Sequence, residues 1–409
     1  MSALAAFVVV AVLYHPYTAN AAGGVTIYND IYNHWHVFAG VIATVRKHVE
    51  PRPELLWMAE RSKNVKDHRI PPFGLREWLG DVGDAATLKD WRHLELVKAS
   101  PTGRATDISA RMKTALDWGP VDALICVSPE LDRYKTCAYA AKYLKAKSVI
   151  AVIHRGDEIG PKSWFLGMKN DKEEIPVHLL GLVPHVMTSA NETLKGRHES
   201  IQWGLMVAPY TSPQPCKKKS CLSGFVVQGA LRRRQDGDWT KFIRDYDSLW
   251  KQMMKKGAPA VRMKIMGKGM RSELGVPKKI NSSVDFYSGL PFPEYWDLID
   301  KSYALVPFHG TPQYYTMRCS STVLASLITC VPLIADDTLL AAYYMFKKEH
   351  VFYQAPGETE MDVMERVMAL PEKELFAKRA AVCRLRDEQL KRTAGVIEEL
   401  IASTRRRAA

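Results

Sequence analysis

Residues 284–335 decide the fold, and their sequence is VDFYSGLPFPEYWDLIDKSYALVPFHGTPQYYTMRCSSTVLASLITCVPLIA. Three apolar runs in this stretch, at 284–287, 303–308 and 331–335, are too short for helices and are bounded by turn residues. Such runs are typical of strands that are covered on both faces, as in a parallel sheet. The segments between them read as helices and a glycine loop. The stretch therefore predicts a doubly wound α/β sheet.

The predicted strands of this stretch end in polar loops. In an open α/β sheet, the loops at the carboxyl ends of the strands line the ligand crevice. Here they carry cations and hydroxyls up to the start of a helix, at His309, Gly310, Thr311, Arg318, Ser320, Ser321 and Thr322. Because a helix amino terminus favours anions, this set predicts a diphosphate site. Helix capping by the hydroxyls alone is the alternative interpretation.

Glycine turns follow two further predicted strands, at 224–228 and 261–266. A glycine lets the backbone approach a phosphate that a Cβ would exclude, and a nearby cation supplies the counter-charge. The candidates of these two kinds are Gly229, Arg232, Arg234, Gly267, Lys268 and Gly269. A solvated basic turn is the alternative for the arginines.

The amino-terminal half shows a second alternation, with predicted strands at 25–28, 54–58, 94–98, 121–127, 148–154, 185–188 and 205–208. The strand at 148–154 ends in His154, and Asp157 and Glu158 follow, which are groups suited to proton transfer or sugar binding. Asn29 and Asp30 follow the first strand and are candidates for acceptor binding. An Asx turn explains these two equally well.

The chain is long enough for two domains, because 409 residues exceed what one core ordinarily supports. The proline- and lysine-rich segment 211–222 is the predicted linker between domains at 23–210 and 223–370. Residues 371–409 are rich in helix formers with apolar residues at helical spacing. They predict carboxyl-terminal helices that pack across a domain surface.

The net charge of +13, from 57 Lys and Arg against 44 Asp and Glu, favours an anionic partner. The basic clusters lack interleaved aromatic residues and no recognition motif is present, so nucleic acid is not the predicted partner. A phosphorylated small molecule accounts for the charge equally well. The sequence contains neither G-x-G-x-x-G after its first strand nor a P-loop, which argues against dehydrogenases and P-loop enzymes.

Residues 1–22 resemble a cleavable secretory signal, because an apolar run at 4–14 precedes Ala19-Asn20-Ala21, although no positive segment comes first. A first strand or a buried helix is the alternative. Secretion implies the lumen of the endoplasmic reticulum or Golgi, where Cys216 and Cys221 could form a small disulfide loop. The sequons at Asn191 and Asn281 are compatible with glycosylation there, and the seven cysteines show no zinc-binding spacing.

Residues 224–355 resemble the carboxyl-terminal domain of GT-B glycosyltransferases, which have two Rossmann-like domains around a deep cleft. The motifs that carry the resemblance are FVVQGALRRR, KIMGKGM, FYSGLPFPEYWDLIDKSYALVPF and SSTVLASLITCVPLIADD. The amino-terminal half resembles the family only in architecture. The resemblance implies transfer of a hexose or pentose from a UDP- or GDP-linked donor to a glycan, lipid or protein acceptor. It implies no metal or other cofactor and allows peripheral contact with a membrane.

The resemblance also implies roles for individual residues. The base of the donor would lie near Tyr287 and Leu290, and the diphosphate near the glycine loop and the following helix. The lysine of the retaining pattern G-x-L-x-x-K falls on Arg234, and Arg232 is the substitute for the arginine that Ala230 replaces. By the same analogy, His154 would orient the sugar or stabilise the transition state.

Some features depart from the family pattern. The usual pair of acidic residues eight apart is absent, since Met317 and Ala325 occupy those positions. This leaves Asp336 as a candidate for sugar or ribose hydroxyls, with capping of the next helix as its alternative. The triplet 236–238 has the pattern of a metal-binding D-x-D motif. That motif follows an apolar strand, whereas this triplet follows an arginine run, so we do not predict a metal site here.

Two other functions fit the sequence. An inverting, exostosin-like glycosyltransferase is one, because SSTVLASLITCVPLIA is also similar to the serine-arginine helix of that family, although here Arg318 precedes the serines. A non-catalytic, two-lobed sugar-binding protein is the other. A protein that binds neutral sugar has no need of Arg318 and Lys268, so anion chemistry separates these functions.

Overall fold

The computed structural model describes residues 24–29, 34–48, 53–58, 73–81, 91–94, 112–113, 116, 119–132, 135–170, 173–198, 200–229, 231, 243–255 and 261–408. The predicted signal at 1–22, Asp30, Arg232, Arg234 and the triplet 236–238 lie outside these residues.

The amino-terminal domain is a parallel sheet with helices. Its strands are β1 (Gly24–Asn29), β2 (Glu54–Met58), β3 (Trp91–Leu94), β4 (Val121–Val127), β5 (Val149–Ile153), a small antiparallel pair β6 (Lys169–Asn170) and β7 (Glu173–Glu174), β8 (Val177–Gly181) and β9 (Ile201–Trp203). The helices are α1 (Trp35–His48), α2 (Leu75–Trp78), α3 (Thr136–Tyr143) and α4 (Pro184–Leu194). The seven-stranded sheet has the order β3-β2-β1-β4-β5-β8-β9. Every residue of β4 and β5 is buried, as expected of strands covered on both faces.

The far edge of this sheet differs from the sequence prediction. Residues 185–188, predicted as a strand, lie in α4, because Pro184 occupies the first helical turn, where its fixed φ favours a helix. The strand that pairs with β5 here is β8. It was not predicted, because it contains His178 and ends in Gly181 and so does not read as a continuous apolar run. Residues 205–208 are buried but form no strand.

The carboxyl-terminal domain has the sheet that residues 284–335 predict. Its strands are β10 (Phe225–Gln228), β11 (Met263–Met266), β12 (Val284–Tyr287), β13 (Ala304–Leu305), β14 (Leu333–Ala335) and β15 (Val351–Tyr353), in the parallel order β12-β11-β10-β13-β14-β15. Its helices are α5 (Tyr246–Lys255), α6 (Phe292–Asp300), α7 (Gln313–Thr316), α8 (Ser321–Thr329), α9 (Asp337–Ala342), α10 (Glu360–Ala369) and α11 (Glu372–Ala408). The prediction of two Rossmann-like α/β domains is confirmed.

The predicted carboxyl-terminal helix is confirmed as α11, which runs for 37 residues. Its first part binds the carboxyl-terminal domain, where the Arg379 guanidinium contacts the Asp300 carboxylate at 2.5 Å. Further along, the Thr393 hydroxyl donates to the Leu205 carbonyl of the amino-terminal domain at 3.0 Å. The helix therefore bridges the two domains. Among the described residues, no helix is long and apolar enough to cross a membrane.

Six of the seven cysteines form disulfides. The expected Cys216–Cys221 loop is confirmed, and it is joined by Cys126–Cys137 and by Cys330–Cys383, which fastens α11 to the end of α8. Cys319 remains a buried thiol.

Replacing Cys330 and Cys383 by serine should destabilise the protein by about 4 kcal/mol, because this bond spans 53 residues of chain. The same change at Cys216 and Cys221, which are 5 residues apart, should cost about 2 kcal/mol. Denaturant unfolding without reductant measures both losses. If the variant that lacks Cys330 and Cys383 unfolds at the same denaturant concentration as the wild type, the prediction is wrong.

Candidate functional site

The strand order of the carboxyl-terminal sheet reverses between β10 and β13, which is the place where open α/β sheets bind their ligands. Gln228 ends β10, and Gly229 follows it with φ +126°. On the other side, His309 follows β13, and α8 begins at Ser321 with Ser320 as its N-cap. The Ser320 hydroxyl accepts the Thr322 N–H at 3.3 Å, so the predicted capping is present. The amino end of α8 thus lies at the point where open α/β sheets bind ligands.

Arg244, just before α5, is buried in this crevice with 5% of its surface exposed. Its guanidinium donates to the Pro307 carbonyl at 2.6 Å and to the Thr322 hydroxyl at 2.9 Å. Gly229 lies so close that a Cβ there would be 3.5 Å from the guanidinium. No carboxylate among the described residues forms an ion pair with Arg244. A buried cation without an acidic partner is costly, and a bound anion would neutralise it.

Gln228 links β10 to α8 and α6. Its amide nitrogen donates to the hydroxyls of Ser321 at 3.0 Å and Thr322 at 3.2 Å. Its amide oxygen accepts the Tyr295 hydroxyl of α6 at 2.8 Å. Because every contact fixes the amide in one orientation, the hydroxyls at the start of α8 are held in place without a ligand.

His309 lies at the centre of the loop that follows β13. Its Nε2 is 3.0 Å from the Ser320 hydroxyl, and its ring stacks on Tyr314 at 4.8 Å between centroids. Burial, followed by the positive charge of Arg244, holds the pKa of His309 well below its usual value, so the ring is neutral at physiological pH. His309 Nδ1 and the hydroxyl of Thr311 are buried without a hydrogen-bond partner among the described residues, and Gly310 lies between these two residues.

The remaining residues expected at the donor line the neighbouring strand ends. Gly267, Lys268 and Gly269 follow β11, and the Lys268 side chain is exposed. Gly269 has φ +146°, and a Cβ there would come within 2.8 Å of Leu231. Tyr287 and Leu290 follow at the end of β12 and are half-buried.

Arg318 has a different partner from the one expected. Its guanidinium contacts both oxygens of Asp157 in the amino-terminal domain, the shortest distance being 2.6 Å. Arg155 contacts the same carboxylate at 2.9 Å and Glu158 at 2.5 Å. Burial alone would raise the pKa of Asp157, but hydrogen bonds and charge from Arg318 and Arg155 lower it. Arg318 is therefore already neutralised by a carboxylate, unlike Arg244.

The loop after β5 contacts the carboxyl-terminal domain at residues 317–319. The Gly156 N–H donates to the Met317 carbonyl at 2.8 Å, and the His154 carbonyl accepts the Cys319 N–H at 3.2 Å. His185 of α4 adds a second contact, because its two ring nitrogens lie 3.0 and 3.1 Å from the carbonyls of Arg318 and Ala342. The domains therefore meet just before the amino end of α8.

Two residues that the sequence prediction missed, His34 and Glu130, contact His154. The ring of His34, at the start of α1, packs edge-on against it with 4.6 Å between centroids, and His34 Nδ1 is 2.8 Å from the Ser128 hydroxyl. Glu130 accepts the backbone N–H groups of His154 and Arg155 at 2.8 and 3.0 Å. Burial raises the pKa of Glu130 to about 7 despite these hydrogen bonds.

This amino-terminal cluster has the features of a reactive site. Ser128 adopts φ +52°, a strained conformation for a residue with a side chain, and such strain concentrates at functional sites. Asn29, expected to bind acceptor, ends β1 and is fully buried. The other carboxylate oxygen of Glu130 is buried and has no hydrogen-bond partner among the described residues. A carboxyl whose pKa is raised to about 7, with the imidazoles of His34 and His154 beside it, is suited to proton transfer.

Asp336 caps a helix in this structure. It is the N-cap of α9, where its carboxylate accepts the Leu339 N–H at 2.8 Å. This contact favours the capping interpretation over sugar or ribose binding. No group of three or more His, Cys, Asp or Glu side chains in the described parts of the chain is arranged to hold a metal.

Neither a protein-family model nor a curated protein sequence matches this chain. Its structure, however, is similar to solved structures. A glycosyltransferase from Rickettsia africae ESF-5 is 11% identical, with TM-score 0.57 over 93% of this chain and 98% of that one. Anabaena Alr3699/HepE in complex with UDP is 11% identical, with TM-score 0.52 over 93% of this chain and 100% of that one.

A mutant of the Thermobaculum terrenum O-GlcNAc transferase gives TM-score 0.52 at 12% identity, over 95% of this chain and 69% of that one. At such low identities, these likenesses establish the fold alone. The chain has the GT-B fold.

Proposed function

We propose that this protein is a glycosyltransferase that moves a hexose or pentose from a nucleoside-diphosphate sugar to a hydroxyl group of a glycan, lipid or protein. The observation that carries the proposal is Arg244, a buried cation without a carboxylate partner in the described structure, beside the amino end of α8. A cation and a helix amino terminus together suit a diphosphate. The UDP held by the similar Anabaena structure supports UDP as the first donor to test.

The residues around the proposed donor site would stabilise the leaving group. When the bond between the sugar and the diphosphate breaks, negative charge develops on the diphosphate oxygen. Arg244 and the amino end of α8 would offset that charge. They need little rearrangement, because Pro307 already holds the Arg244 guanidinium and Gln228 holds the hydroxyls of Ser321 and Thr322. Neutral His309 can contact a phosphate or sugar oxygen without adding a second cation beside Arg244.

The amino-terminal cluster would act on the acceptor. The attacking hydroxyl must lose a proton as it bonds to the sugar carbon, and His154, His34 and Glu130 are the nearby groups able to take it. Asp157 and Glu158, predicted as catalytic partners, form ion pairs with Arg318 and Arg155. We therefore assign Asp157 to holding the loop and the domains together, and the proton transfer to His154.

Binding of nucleoside diphosphates tests this function. UDP or GDP at millimolar concentration should raise the melting temperature, because a ligand selective for the native state stabilises it. CMP, which lacks the diphosphate, should raise it less. A protein whose melting temperature responds to no nucleoside diphosphate is not a nucleotide-sugar enzyme, and the neutral-sugar binding protein would then be the better assignment.

We also propose that the protein resides in the lumen of the secretory pathway. Three disulfides support an oxidising compartment, and the sequons at Asn191 and Asn281 lie on exposed residues. Amino-terminal sequencing should find mature protein that begins near Ala22. Soluble cytosolic product that begins at Met1 or Ser2 would refute this location.

A further inference from the structure

A second cavity lies outside the donor crevice, where the two domains meet α11. Its volume is about 530 Å³, within the range of small-molecule sites. Trp203 at the end of β9 forms one wall, and residues 344–350 after α9 form another. The third wall is the outer face of α11, from Arg384 to Arg392. No residue assigned to the donor or the acceptor lines this cavity.

The charges around the cavity favour an anion. Lys347, Arg384 and Arg392 contribute three cations, against the carboxylates of Glu349 and Glu388. Neither Lys347 nor Arg384 forms an ion pair with a described residue, although Glu388 lies one helical turn from Arg384. Arg392 is held over the Trp203 ring, with 3.9 Å from its guanidinium carbon to the ring centroid. Two cations at the rim are therefore available to an acidic ligand.

The rest of the lining suits a hydroxylated ligand. Tyr344 is 50% exposed, which is unusual for a large side chain, and its ring meets Trp203 edge-on with 5.7 Å between centroids. An exposed aromatic face can pack against the C–H face of a sugar ring. The side-chain oxygen of Gln389 is buried at the cavity and has no hydrogen-bond partner among the described residues. It can accept a hydroxyl group.

We propose that this cavity binds an acidic saccharide. The cations bind its carboxylate or sulfate groups, Tyr344 packs against a sugar ring, and Gln389 accepts one of its hydroxyls. A purely apolar ligand would leave Lys347, Arg384 and Gln389 unpaired, and inorganic phosphate would not use Tyr344. Because the cavity is built by both domains and α11, a bound saccharide lies where all three meet.

Titration calorimetry with a galacturonate trimer, and with a galactose trimer as its neutral counterpart, tests the site. We expect the wild-type protein to bind the acidic trimer at least tenfold more tightly than the neutral one. Lys347→Ala with Arg384→Ala should weaken binding about tenfold, because two charge-assisted contacts are lost at an exposed rim. Tyr344→Ala should weaken it about three- to tenfold through lost ring packing.

The double variant Lys278→Ala with Lys279→Ala is the matched control, since it removes the same charge from exposed positions away from the cavity. It should change binding less than twofold. Equal weakening by the two double variants would mean non-specific attraction and would overturn the site. Failure of the wild type to bind the acidic trimer, or its displacement by UDP, would overturn it too. UDP binding itself tests the proposed function separately.

Discussion

UDP binding should weaken ten- to a hundredfold when Arg244 is replaced by methionine. Charge-assisted hydrogen bonds contribute about 1.5 to 3 kcal/mol each, and Arg244 is a buried cation at this crevice without an ion-pair partner among the described residues. Methionine fills a similar volume, so the crevice should keep its shape. Calorimetric titration of UDP into both proteins measures the loss.

Two further variants separate a ligand contact from a structural one. Arg244→Lys keeps the charge but loses the planar fork that reaches both Pro307 and Thr322, so it should recover part of the affinity. Arg262→Met removes an exposed arginine that pairs with Asp285, and it should leave UDP affinity unchanged. If Arg244→Met binds UDP as tightly as the wild type, the diphosphate lies elsewhere.

Turnover should fall about a hundredfold or more in His154→Ala, while UDP affinity stays within about twofold of wild type. A general base contributes typically 10² to 10⁴ to the rate, and the His154 side chain packs on His34 in the amino-terminal domain. Initial rates at saturating donor, combined with UDP titration, give the two quantities separately.

His178→Ala is the control for His154→Ala, because it also removes an imidazole from the amino-terminal domain. His178 lies near the amino end of β8 and contacts Ser200 at 2.7 Å, so its replacement should leave turnover at saturating donor intact. If His154→Ala keeps normal turnover but loses UDP affinity, the loop after β5 belongs to the donor site. The assignment of the two domains would then be reversed.

The strands of the carboxyl-terminal sheet could be predicted because they are short apolar runs between turn residues. Gln228, at the end of β10, and His309 and Ser320, after β13, lie where the strand order of the sheet reverses. The amino-terminal edge was harder to predict, because an apolar run at 185–188 is compatible with either a strand or a helix. The proline before it favoured the helix.

The site was predicted less completely than the fold. Arg244 lies in a segment of mixed charge, KFIRDYD, and nothing local distinguishes it from a solvent-exposed arginine. Only its packing against Pro307 and Thr322, more than sixty residues away, buries it. In the same way, the cluster around His154 depends on long-range contacts with His34 and Glu130. Arg318, in contrast, was placed correctly before α8, but its partner Asp157 is on the other domain.

The course of α11 has a consequence for synthesis on the ribosome. The domain made first is not complete when its own residues have emerged, because the buried Ile397, Leu400 and Ile401 near the end of α11 belong to the same hydrophobic core as β1 and β4. Domains generally fold in the order in which they are translated. Here the core of the first domain is complete only after α11 has been made, so the apolar surface that Ile397, Leu400 and Ile401 cover stays exposed while the second domain is translated.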